Sequence, residues 1–239
     1  MIFLAIARVT LRALVSRRRT VLMLVLAGIP ILVGLLVRAN TDGIREVGPT
    51  LDGLVVRIIL PLIALVFGTA ALGSELEDGT AVHLLTKPIS RTTIVLAKVA
   101  VAGTLTALLV VPSTVIAAIL MAHSGANLVI VTTSLGAGVL AGSYLYAAVF
   151  VALGVITSRG LILGLGYALI WEGLLAGLLP GTQVFSIREY VRGIVFAVSP
   201  SVIDSIVGPA ALLYTAIVLV AALAIASYRL ATYEVRGTD

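Results

Sequence analysis

The sequence predicts an all-α integral membrane protein with six transmembrane helices. An N-terminal interfacial helix, a cytoplasmic helix between the second and third spans, and short external helices before the last span complete the expected fold. Three observations predict it. The chain has 239 residues, is 60% hydrophobic and has a mean hydropathy of +1.20, whereas an ordinary soluble domain is about 45–50% apolar. Several apolar runs reach membrane-spanning length. They are continuous, unlike the alternating segments of roughly ten residues that build a membrane barrel. Finally, Lys and Arg divide unequally between the two sides of these runs, as topology signals do.

Composition removes some function classes. There is no cysteine, so disulfides and thiolate metal sites are excluded. The net charge of +5 and pI of 9.9 would suit nucleic acid, but the basic residues flank apolar spans, so no nucleic-acid partner is expected. One domain over 1–239 is expected, with no long internal repeat.

Residues 1–19 open the chain. Leu4, Ala7, Leu11, Leu14 and Val15 recur at helical spacing, with Arg8, Arg12 and Ser16 off that face. This is the pattern of a helix lying in the interface with its arginines toward lipid phosphates. Arg17-Arg18-Arg19 precede the first span, 21–37. The run is longer than a signal-peptide core and no A-x-A site follows, so it reads as an uncleaved anchor. Two Asp-Gly turns, at Asp42-Gly43 and Asp52-Gly53, mark the next loop. The second span is expected at 54–72, the third at 93–121, the fourth at 128–157, the fifth at 161–179 and the last at 209–228.

Between the second and third spans lies the polar stretch GSELEDGTAVHLLTKPISRTTIVLAK, 73–98. Ser74 and Glu77 form an S-x-x-E box, which marks a helix start. Pro88 biases Lys87 away from helix, so the helix should stop near Thr86, and Ser90 should cap the next one. The loop is assigned to 74–92. Glu75, Glu77 and Asp78 suit the positive end of a helix dipole, or equally basic residues on a partner. Gly79 costs about 1 kcal/mol within a helix relative to alanine, which points to close approach of another backbone or to a plain turn.

The external stretch 180–208 contains a second box, Ser186 with Glu189, flanked by Phe185 and Tyr190 at staple positions. Ser199-Pro200 should open another short helix.

Eleven basic residues (Arg8, Arg12, Arg17, Arg18, Arg19, Lys87, Arg91, Lys98, Arg159, Arg229, Arg236) fall on the side of the termini. Five (Arg38, Arg45, Arg57, Arg188, Arg192) fall opposite. The termini and the 74–92 loop are therefore expected in the cytoplasm, and the protein in the plasma membrane.

Several motifs of phosphate-binding, metal-dependent and nucleophilic chemistry are absent from the sequence. There is no G-x-x-x-x-G-K-[ST], H-E-x-x-H or G-x-S-x-G sequence. His83 and His123 fall on opposite sides, so no metal site and no catalytic residue is expected. Glu172 is the single acid inside an apolar span, at a cost of roughly 2.5–3.5 kcal/mol at a helix centre. Arg57 is its expected partner. The pair marks either a translocation path or gate, or a structural bond between helices.

The order of residues in the cytoplasmic stretch resembles the permease subunits of type-2 ABC exporters. The matching positions are Glu77, Gly79-Thr80, Leu84-Leu85, Pro88-Ile89-Ser90-Arg91 and Lys98. The resemblance implies that the stretch holds a coupling helix, with Glu75, Glu77, Asp78, Gly79, Thr80, His83, Pro88 and Arg91 meeting a separate ATPase. It implies two P-loop ATPase subunits carrying ATP and Mg, a second permease, identical or related, and no cofactor on this chain. The expected function is export of an amphipathic or lipid-like substrate. A membrane anchor performing mechanical work, or an integral membrane enzyme, are the alternatives.

Overall fold

The computed structural model describes residues 2–15, 17–40, 47–77, 89–122, 128–175 and 181–232. Among them there are helices and no strands. Among the described residues, five helices are long and apolar enough to cross a membrane: Arg19–Ala39, Val47–Gly73, Arg91–Met121, Leu128–Ile156 and Gly208–Ala231. The expected fifth span appears as the shorter apolar helix Gly160–Leu175.

The first helix, α1, is Ile2–Leu14, and α2 is Arg17–Asn40. The interfacial helix expected over 1–19 therefore ends earlier, and the triple arginine begins the first span. Ile6, Thr10 and Leu14 are the buried face of α1. Residues Leu4, Arg8, Leu11 and Arg12 stay exposed.

The second span begins well before residue 54. It comprises α3 (Val47–Leu51), a π-helical segment (Asp52–Ile59) and α4 (Leu60–Glu77). Asp52-Gly53 is thus inside a helix and not a turn. Two arginines from a distant helix neutralise Asp52 and let it be buried there, as described below. At the other end α4 runs through Ser74 to Glu77. The S-x-x-E box does not start a helix, because the backbone donors it would satisfy are already bonded inside α4.

The third span, α5, is Arg91–Met121, with 31 residues. It is capped where the sequence predicts. Ser90 has extended backbone angles, and its Oγ accepts from the Thr93 amide at 3.4 Å. Buried Thr106 and Thr114 donate to carbonyls four residues back, at 2.9 and 2.7 Å, so their hydroxyls cost little in an apolar setting. Ser113 donates to the Ala27 carbonyl of α2, tying the first span to the third.

The fourth span, α6, is Leu128–Ile156, with 29 residues. It is the hub of the bundle, packing on α4, α5 and the helices that follow. After it come α7 (Gly160–Gly166), a second π-helical segment (Tyr167–Leu175) and a 3-10 turn (Thr182–Phe185). Then come α8 (Ile187–Val198), a 3-10 turn (Gly208–Ala210) and α9 (Ala211–Ala231). Small residues let α8 seat on α6. A Cβ at Gly138 would lie 2.4 Å from Val195 Cγ2 and 3.0 Å from the Val191 carbonyl.

Two expectations for the stretch 180–208 change. Glu189 does not return to Ser186. Its Oε1 accepts from Ser205 Oγ at 3.0 Å and from the Ile206 amide at 2.8 Å. These bonds hold 199–207 as a non-helical strap over α8, in place of the helix expected from Ser199-Pro200. Phe185 is 72% exposed while Tyr190 is buried, so the staple is not made.

Candidate functional site

Two polar groupings interrupt the apolar bundle, one at each end of the second span. The first joins the last turns of α4 to α5. Lys98 lies two turns into α5, is 1% exposed, and donates to Glu75 Oε1. Glu75 is 23% exposed. The acids at 75 and 77 sit at the C-terminal end of a helix, the reverse of the expected placement. Negative charge is unfavourable there, and the Lys98 ammonium offsets it for Glu75. The bond brings together the helices on either side of 78–88.

Of the residues expected to meet a partner, Glu75 and Glu77 end α4 and Arg91 begins α5. Asp78, Gly79, Thr80, His83 and Pro88 lie outside the described residues. Lys98, one of the positions that carry the resemblance, was absent from the residues expected to meet the partner. Its signal was a lone lysine inside an otherwise apolar run.

The second grouping is at the other end. Glu172 is 1% exposed in the second π-helical segment. Four donors converge on its carboxylate: the Tyr146 hydroxyl, the Tyr167 hydroxyl at 3.0 Å, Ser186 Oγ at 3.3 Å and the Arg188 amide at 3.1 Å. They offset the cost of burying it. The expected partner, Arg57, is not among them. Its guanidinium donates to the Gly173 carbonyl next door. The reason is local, because a π-helical segment disturbs the regular i→i−4 ladder and frees carbonyls for other donors.

Next to this carboxylate, Arg188 Nη2 donates to Asp52 Oδ2 at 2.6 Å, and Arg192 Nε lies 3.6 Å from Asp52 Oδ1. Arg192 Nη1 also donates to Glu189 Oε2 at 2.9 Å. One chain of charges thus runs from the first π-helical segment through α8 to the strap. Tyr190, on α8, donates to the Val184 carbonyl at 2.6 Å. Burial pushes its hydroxyl above the ordinary value of 10.0, and Tyr214 and Glu172 add to the effect.

Among the described residues no three His, Asp or Glu side chains gather to hold a metal ion. The polar groups lie where helices meet and where two apolar helices depart from α-geometry. The fold and these seams define a multi-pass α-helical membrane protein.

Within that class the chain belongs to the ABC-2 family transporter proteins, whose family model matches residues 15–174. It is accordingly the permease component of an ABC transporter, a system that includes an ATPase partner. The matched stretch runs from the start of the first span to just beyond Glu172. No curated protein matches the chain.

Proposed function

We propose that the chain is the membrane-spanning subunit of an ATP-driven exporter that moves an amphipathic or lipid-like substrate out of the cytoplasm. Two P-loop ATPase subunits, carrying ATP and Mg, drive two permeases, the second identical or related. This chain contributes no catalytic residue and holds no cofactor. Its termini and the 74–92 loop face the cytoplasm, and the membrane is the plasma membrane.

The observation that carries the reading is the Lys98–Glu75 bond. It ties α4 to α5 beside the segment that holds Asp78, Gly79, Thr80, His83 and Pro88. Motion imposed on that segment by a docked ATPase would then reach both spans together. Glu77 and Arg91 flank the docking element. At the far end, the Glu172 cluster and Arg57 hold the outer gate, where Arg188 of α8 bonds to both π-helical segments. Alternating closure at these two ends is the exchange between inward-open and outward-open states. The scarcity of charge, 11% of residues, favours an amphipathic cargo over a sugar or an ion.

Co-purification with the ATPase, followed by ATP-driven accumulation of substrate in liposomes, tests the reading. Gly79→Trp and Glu77→Lys should lose ATPase binding and transport. If both variants retain them, the docking role is wrong. ATP hydrolysis coupled to the permease without accumulation of any cargo would support mechanical work instead.

A further inference from the structure

The helices α1 and α5 leave an open cleft between them of about 900 Å³. Pockets that hold small ligands span roughly 300–1,000 Å³. Leu4, Ala7 and Leu11 line it from α1, and Thr104 and Leu108 from α5. Leu4, Leu11 and Leu108 are exposed, so this apolar surface is unpartnered in the single chain. One polar point interrupts the far wall, where the Thr104 and Tyr144 hydroxyls lie 3.0 Å apart.

The rim carries the opposite character. Arg8 lines the cleft beside Leu4 and Leu11, although the sequence pattern put it off their face. Arg12, four residues on, extends the basic edge along α1. Both are exposed, and among the described residues neither has a carboxylate within ion-pair distance. The first 41 residues contain six arginines, at 8, 12, 17, 18, 19 and 38, and no acid. An apolar slot with an uncompensated cationic edge fits a molecule with a long apolar tail and an anionic head.

We propose that this cleft is a binding site for one anionic glycerophospholipid, drawn from the leaflet that contains α1. An acyl chain lies over Leu4, Leu11 and Leu108, and the headgroup phosphate meets Arg8 and Arg12. The lipid is a resident ligand that fixes α1 to the third span, distinct from the exported cargo.

The test is native mass spectrometry of the full permease with its ATPase, released from bilayer discs of phosphatidylcholine containing a minor fraction of phosphatidylglycerol. One phosphatidylglycerol should stay bound per permease, in preference to phosphatidylcholine. Arg8→Gln with Arg12→Gln should lower that preference roughly fivefold for each arginine, while Arg8→Lys with Arg12→Lys should keep it. Thr104→Trp, which fills the cleft from the α5 wall, should displace both lipids. Absence of a preference, or a preference unchanged in the double Gln variant, overturns the proposal. Two other outcomes also overturn it. One is release of the lipid on each round of ATP hydrolysis, which would make it cargo. The other is disulfide dimerisation of Leu4→Cys in the otherwise cysteine-free chain with loss of the lipid, which would put a second copy in the cleft.

Discussion

Lys98 and Glu75 form an ion pair across 23 positions of sequence, joining α4 to α5 beside the segment 78–88. The lysine is almost wholly buried and the glutamate is not. Their bond therefore matters more to the lysine. An ammonium left without its counter-charge in that position carries most of the cost.

Glu75→Gln should accordingly destabilise the protein, by about 3 kcal/mol at most, because removing one partner of a buried pair leaves a charge uncompensated. Glu75→Gln combined with Lys98→Met should recover most of that loss. Thermal unfolding of the purified variants checks both. Under the proposed coupling, the double variant should still bind the ATPase but transport less per ATP hydrolysed.

Glu172 offers a second contrast. Glu172→Leu leaves Tyr146, Tyr167, Ser186 and the Arg188 amide without an acceptor, and each unsatisfied buried donor costs about 1–3 kcal/mol. Glu172→Gln retains an acceptor oxygen and should be milder by at least about 2 kcal/mol. Thermal melts that rank the two equally would show that the cluster does not depend on these bonds.

The charge chain through α8 predicts a local effect. Asp52→Asn should loosen α8 through Arg188 and Arg192, whereas Glu189→Gln should loosen the strap at Ser205 and Ile206. Hydrogen exchange should rise first over 187–198 in one variant and over 199–207 in the other. Both responses should be smaller in high salt, where screening already weakens the ion pairs of these partly exposed arginines in the unsubstituted chain.

Tyr190 gives a pH dependence. Its hydroxyl is neutral to higher pH in the folded chain than in the unfolded one. The unfolded state therefore binds fewer protons above pH 10.0, and stability falls as pH rises from that value toward the folded pKa. Tyr190→Phe should make the fall shallower. Unfolding measured from neutral to alkaline pH in both proteins checks the sign.

The membrane class was legible because a continuous apolar run has few other uses. The Ser90 cap was legible because a cap is a local contract between a hydroxyl and an amide three residues away. Misreadings occurred where long-range partners decide. Asp52-Gly53 looks like a turn until Arg188, 136 positions later, arrives to bury the acid. Ser74-x-x-Glu77 looks like a helix start because the sequence does not announce that α4 is still running. Arg57 and Glu172 were paired on charge alone. The carboxylate instead takes neutral hydroxyls, which pattern reading does not weigh.

The lengths of α5 and α6 carry one more consequence. At about 1.5 Å per residue, 31 and 29 residues measure about 46 and 44 Å, against roughly 30 Å of hydrocarbon. Such rods must lean or protrude, and the choice depends on how thick the surrounding lipid is. Bilayer thickness is thus a control variable for this protein: lengthening the acyl chains should bring α5 more upright and reposition its Arg91 end, with no change to a single residue.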